Sequence, residues 1–128
     1  MIRIYSLLLS LSLPFVLLRL LWRSRRAPAY RRRWSERLGR YPEGPMQAGL
    51  WVHAVSVGET QAAAPLIKHF LEQHPGDGVM VTTTTPTGSE RLRELFDDRV
   101  RHVYTPFDLL AVVERFLDRV GPRLAVVM

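Results

Sequence analysis

The stretch Leu50-Trp-Val-His-Ala-Val-Ser-Val-Gly-Glu-Thr60 decides how the rest of the chain is read. An apolar run stops at Ser56-Val57-Gly58-Glu59 and a helical pattern begins, which is how a strand hands over to a helix. In open α/β sheets ligands sit in the crevice beyond the carboxyl ends of the strands, so a carboxylate at such a turn stands where chemistry occurs. Glu59 is therefore the first candidate for chemistry. Ser56 and Glu59 also have the spacing of a capping box, a purely structural use of the same two residues.

Downstream of this turn, brief β-branched runs alternate with helical patterns. Strands are expected near Leu50–Val55, Val79–Thr84, Val100–Tyr104 and Leu124–Met128, with helices near Thr60–Gln73, Ser89–Phe96 and Leu109–Val120. Strand starts 29, 21 and 24 residues apart fit βαβ crossovers, so residues 46–128 predict an α/β fold with a parallel sheet. Pro65 conflicts with a straight first helix: either the helix kinks there or it properly begins at Ala64. In a parallel sheet the turns Ser56–Glu59, Thr84–Gly88 and Thr105–Asp108 gather on one edge. Thr87 and Glu90 repeat the capping-box spacing, and Asp108 suits the N-cap of the third helix.

The net charge of +6 is unevenly spread: residues 1–45 carry +8 and the remainder −2. That distribution describes a basic arm on a near-neutral globular part, not a protein that coats nucleic acid. Ile4 to Leu18 is uncharged and Leu-rich, about 22 Å long as a helix. Continued to Trp22, with Arg19 snorkelling, it approaches the ~30 Å of a bilayer core, so residues 1–26 are expected to form a membrane anchor that spans the bilayer or lies in it. A signal peptide and a buried core helix are the competing readings. Arg19, Arg23, Arg25 and Arg26 oppose the signal peptide, because they lie between the apolar run and Ala27-Pro28-Ala29.

Residues 27–45 read as a basic amphipathic segment and hinge. Tyr30, Trp34 and Leu38 recur every four residues on one helix face, and Arg31, Arg32 and Arg33 suit anionic headgroups as well as simple solvation. The absence of cysteine excludes disulfides and thiolate metal sites. No metal site is expected from His53, His69, His74 and His102, which lack repeated ligand spacing. There is no G-x-G-x-x-G, no P-loop and no G-x-S-x-G elbow around Ser56.

Four ordered blocks then match a known family. Leu50 to Glu59, Val81-Thr-Thr-Thr-Thr-Pro-Thr-Gly-Ser-Glu90, His102-Val-Tyr-Thr-Pro-Phe-Asp108 and Pro122-Arg-Leu-Ala-Val-Val-Met128 resemble the N-terminal half of the 3-deoxy-D-manno-octulosonic acid (Kdo) transferases. The resemblance implies the partial, Rossmann-like N-terminal domain of a GT-B glycosyltransferase at the cytoplasmic face of the inner membrane. Such an enzyme moves Kdo from CMP-Kdo to a lipid A precursor in lipopolysaccharide assembly and takes no cofactor beyond its donor. It further implies that Glu59 is the general base and that Ser56, Gly58, Thr84, Thr87 and Gly88 shape the acceptor cleft. Arg19, Trp22, Arg23, Arg25, Arg26, Arg31, Arg32 and Arg33 would then face the membrane and its anionic lipid.

The family continues after the position of Met128 with a Glu-Thr-Glu-x-Trp-Pro block and a second Rossmann-like domain, which holds most of the CMP-sugar site. The expectation is therefore a chain that does not transfer Kdo by itself and that leaves an apolar strand edge unpaired. The alternative is a membrane-tethered, non-catalytic binding module for anionic lipid, which would need only the basic arm.

Overall fold

The computed structural model describes residues 2–25 and 33–128. Its centre is a parallel sheet built from β1 (Ala48–His53), β2 (Gly78–Thr83), β3 (Arg101–Tyr104) and β4 (Leu124–Val127), in the order β3-β2-β1-β4. The helices α1 (Ile2–Ser24) and α2 (Trp34–Arg37) precede it, and α3 (Val57–Gln73), α4 (Pro86–Phe96) and α5 (Leu110–Val120) connect the strands. Mixed α/β architecture with a parallel four-stranded sheet is what the alternating pattern predicts, and it fits a Rossmann-like arrangement.

Strand order follows from the crossovers. The chain steps outward from β1 to β2 to β3, then reverses to place β4 on the far side of β1. With right-handed connections, a reversed step puts the connecting helix on the opposite face. Packing agrees. Leu50, Val52, Val79 and Val81 bury one face of the sheet against Ala63 and Ile67 of α3 and Leu92 and Phe96 of α4. Ala48 and Met80 bury the other face against Phe116 and Val120 of α5. Phe116 is fully buried, with its ring edge-on to Trp51 at 4.9 Å and to Tyr41 at 6.0 Å. Such pairs contribute roughly 0.5–1.5 kcal/mol beyond the area they bury.

The helices start earlier than their periodicity implies. α3 begins at Val57, not Thr60, and α4 at Pro86, not Ser89. The polar turn residues are the reason, since Ser56 and Thr85 cap the first turns, and Pro86 at the start of α4 gives up an N–H that has no helical partner there. Of the two readings of Pro65, a helix beginning at Ala64 does not hold, because α3 runs from Val57 through an exposed Pro65 to Gln73. Asp108 is not a cap. Leu109 holds the position before α5 without a side-chain bond, and Asp108 Oδ2 accepts from the Tyr5 hydroxyl of α1 at 2.7 Å.

The helix expected over Tyr30 to Leu38 is reduced, among the described residues, to the single turn α2. Arg33 stands before it in the left-handed region at φ 59°, which a continuous helix cannot contain. Tyr30, Arg31, Arg32 and Arg26 lie outside the described residues. No described helix is long and apolar enough to cross a membrane. Along α1, Leu7, Leu8, Leu11, Phe15, Leu18 and Trp22 are all exposed. β4 pairs with β1 on one side only, and Leu124, Val127 and Met128 are exposed.

Candidate active site at the strand ends

The parallel ladder continues beyond the strands and ties the turns together. Ala54 N–H donates to Thr82 O at 2.9 Å, Thr84 N–H to Val55 O at 3.2 Å, Thr105 N–H to Thr83 O at 2.9 Å and Met128 N–H to His53 O at 3.0 Å. The candidate residues of three turns are thereby held on one sheet edge, as the sequence predicts. Between β1 and β4 the strand order reverses. That point is where open α/β sheets leave a crevice.

At the first turn Ser56 is extended, with φ −126° and ψ 172°, and its Oγ accepts from Glu59 N–H at 3.4 Å. Glu59 answers by reaching back, and its Oε2 accepts from Val55 N–H at 2.6 Å. This is the capping-box exchange displaced by one residue, and it orients the carboxylate. Glu59 Oε1 has no hydrogen bond among the described residues, so one carboxylate oxygen is anchored and the other can accept a proton. Gly58 is exposed, and a Cβ there would meet only Ser56 Oγ at 3.9 Å.

At the second turn the cap is Thr85, not Thr87. Thr85 Oγ1 accepts from Gly88 N–H at 3.2 Å and from the Thr87 hydroxyl at 3.4 Å. Thr87 is exposed, and Thr84 Oγ1 lies 3.4 Å from Thr105 Oγ1. Gly88 is buried. A Cβ on it would sit 3.1 Å from Thr85 Oγ1, 3.4 Å from Thr83 Cβ and 3.6 Å from the Ser56 carbonyl carbon. Gly88 thus lets α4 approach the first turn closely, while Ser56, Gly58, Glu59, Thr84 and Thr87 stand in the turns at the strand ends.

Two polar clusters beneath this edge have no counterpart in the sequence reading. On the α5 face, Trp51 Nε1 donates to Thr82 Oγ1 at 3.0 Å, and His53 Nδ1 lies 3.0 Å from the same oxygen. Alternation alone places Trp51 and His53 on one face, but their shared partner sits in another strand. On the α4 face, Arg33 Nη1 donates to His102 Nδ1 at 2.9 Å. A guanidinium only donates, so the hydrogen of His102 is on Nε2, which donates to Thr83 Oγ1 at 2.8 Å. Burial first, then the charges of Arg33, Arg93 and Arg37, push the His102 pKa down to about 3.

Arg33 also pairs with Glu36, whose other oxygen accepts from Tyr104 N–H at 2.8 Å. These partners turn Arg33 into the domain and not outward. Arg19, Trp22 and Arg25 are exposed along α1 and just past its end, and Arg23 belongs to the same helix. A cavity of about 480 Å³ follows the free edge of β3, between Arg33, Tyr41, Met46, Arg93 and Arg101, and does not include Glu59. In that cavity four carboxylates, Glu36, Glu43, Asp97 and Asp98, stand among four arginines. The strand-end shelf is the better chemical candidate because its carboxylate is oriented through one oxygen and has the other unengaged among the described residues. Among the described residues no His, Asp and Glu group forms a set that could hold a metal ion.

Residues 32–128 match the family described as 3-deoxy-D-manno-octulosonic-acid transferase (kdotransferase). A curated 3-deoxy-D-manno-octulosonic acid transferase from Haemophilus influenzae is 40% identical over 126 residues, covering 97% of this chain and 30% of the relative. The transferase of Bordetella pertussis is 36% identical over 120 residues, 84% of this chain and 28% of its own length. That of Chlamydophila psittaci is 34% identical over 77 residues, 59% of this chain and 18% of its own length. The chain thus spans under a third of the length of these relatives. No solved structure matches at comparable significance. The match over nearly all of the globular part, on the residues that build the strand-end shelf, shows that the chain belongs to the 3-deoxy-D-manno-octulosonic acid transferase family.

Proposed function

We propose that this chain is the acceptor-side part of a GT-B enzyme that transfers Kdo from CMP-Kdo to a lipid A precursor. The observation that carries this reading is Glu59, with one oxygen anchored by Val55 N–H and the other open at the strand ends. In the step proposed, the acceptor hydroxyl oxygen attacks the anomeric carbon of Kdo. The bond from that carbon to the CMP phosphate oxygen breaks, and CMP leaves with the electron pair. The hydroxyl proton passes to Glu59 as general base, a contribution of roughly a hundredfold or more to the rate. The donor is already activated, so the step needs no further cofactor. Ser56, Gly58, Thr84 and Thr87 border the acceptor, and the CMP-Kdo site lies mostly in a second domain.

The cytoplasmic face of the inner membrane suits this chemistry, because the acceptor is a lipid. A helix that exposes apolar side chains as α1 does is matched by a lipid layer better than by water. Arg19, Arg23, Arg25, Arg26, Arg31 and Arg32 are assigned to anionic headgroups, each worth about 1 kcal/mol near such a surface. Arg33, engaged by Glu36 and His102, is not.

The test joins this chain to the remainder of the Haemophilus influenzae relative and follows labelled Kdo from CMP-Kdo into lipid A precursor. Glu59→Gln leaves an oxygen to accept from Val55 N–H, so the fold is expected to survive while turnover falls at least about a hundredfold. The isolated 128 residues are expected to show no transfer. Wild-type turnover in the Gln variant would reduce Glu59 to a cap, and turnover by the isolated chain would remove the need for a second domain.

A further inference from the structure

We propose that His53 is a second substrate-contacting residue of this site, donating from Nε2–H to an oxygen of the acceptor sugar beside the hydroxyl that Glu59 deprotonates. The inference rests on the proposed transfer and deepens it.

The argument begins with Trp51, whose indole nitrogen can only donate, and it donates to Thr82 Oγ1 at 3.0 Å. Thr82 is fully buried, so its own hydroxyl hydrogen needs an acceptor; leaving it without one costs roughly 1–3 kcal/mol. His53 Nδ1, at 3.0 Å, is the remaining partner of that hydroxyl among the described residues. Nδ1 therefore accepts, and the imidazole hydrogen is held on Nε2. Trp51 and Thr82 thus select one tautomer of His53 from below.

The place of the ring makes that tautomer useful. His53 is the last residue of β1 and is half-buried, with its carbonyl tied to Met128 N–H beside β4 at the point where the strand order reverses. Nε2 has no partner among the described residues. Glu59 is near enough for its negative charge to work against the burial that holds the imidazole below its usual pKa. A neutral N–H donor at the last residue of β1 and a carboxylate acceptor in the first turn of α3 thus stand at the same end of the sheet, a pairing suited to a sugar bearing neighbouring oxygens.

The experiment uses the joined enzyme described above and measures KM separately for lipid A precursor and CMP-Kdo. His53→Asn keeps an amide at the level of Nδ1 but cannot reach the place of Nε2, whereas His53→Gln can. The Asn variant is expected to raise the acceptor KM about fivefold or more with the CMP-Kdo KM unchanged, the loss of about one hydrogen bond. The Gln variant is expected to stay within about twofold of the parent. Thr82→Val, which frees the tautomer, is expected to raise the acceptor KM in the same direction. An Asn variant with parental acceptor KM, or with both KM values raised equally, overturns the proposal. Loss of turnover in Glu59→Gln with no effect in His53→Asn removes the role of His53 alone. Full turnover in Glu59→Gln removes the site reading and the His53 proposal together.

Discussion

Replacing Glu36 tests the packing beneath the site most directly. Glu36 is 2% exposed, and its two oxygens serve different partners: the Arg33 side chain and the backbone N–H of Tyr104 at the end of β3. Glu36→Ala leaves that buried N–H without an acceptor, at a cost of about 1–3 kcal/mol. The lost ion pair adds less, because the Arg33 side chain is 35% exposed and solvent screens it; about 0.5–1 kcal/mol is appropriate. The expected total is about 1.5–4 kcal/mol. Glu36→Gln retains an oxygen for Tyr104 N–H but sets an amide against a guanidinium, and should cost about half as much. Urea denaturation followed by circular dichroism reads the difference. With a slope of about 2 kcal/mol per molar urea, the Ala variant's midpoint falls by roughly 1–2 M. Equal midpoints for Ala and Gln, or an Ala cost under about 0.5 kcal/mol, would refute the view that this carboxylate holds the end of β3.

His102 provides a pH signature. Its folded pKa, about 3, lies below the ordinary value of 6.5, so the unfolded chain takes up a proton that the native state does not. The associated stability is fully present above pH 6.5 and is lost as pH falls towards 3; between pH 7.5 and 5.5 the loss is about 1.4 kcal/mol. His102→Gln should flatten the stability profile by that amount in denaturant titrations at the two pH values. Gly88→Ala would push a methyl against the Thr85 hydroxyl and Thr83 Cβ, so its thermal midpoint should drop and acceptor KM should rise, with CMP-Kdo KM little changed. Removing residues 2–25 should abolish flotation with liposomes containing anionic lipid; retained flotation would shift membrane contact to the residues that follow, Arg26, Arg31 and Arg32 included.

Local pattern carried the parts of this protein that depend on neighbours in the chain. The β-branched runs, their spacing and the turn at Ser56–Glu59 were legible because periodicity records which faces are buried and because Ser, Thr and Pro bond or stiffen the backbone beside them. The same locality explains the errors. Thr85 and Thr87 are both suitable caps two residues apart, and only the docking of Gly88 against Thr83 and Ser56 selects Thr85. Periodicity suggested a helix through Arg33, but Glu36 and His102 draw its side chain inward and its backbone is left-handed there.

By itself the sequence determined an α/β chain with crossovers, a carboxylate at the first strand end and the residues that carry the family resemblance. Only the tertiary structure decided the order β3-β2-β1-β4, and with it the point of reversal beside β1. It also decided that Trp51 and His53 share Thr82, and that Arg33, His102 and Thr83 form one chain of hydrogen bonds. Those partners lie between 19 and 69 residues apart, except for Trp51 and His53 themselves. Burial periodicity states that a side chain points inward; which group it meets is set by the register of strands and the reversal of the sheet.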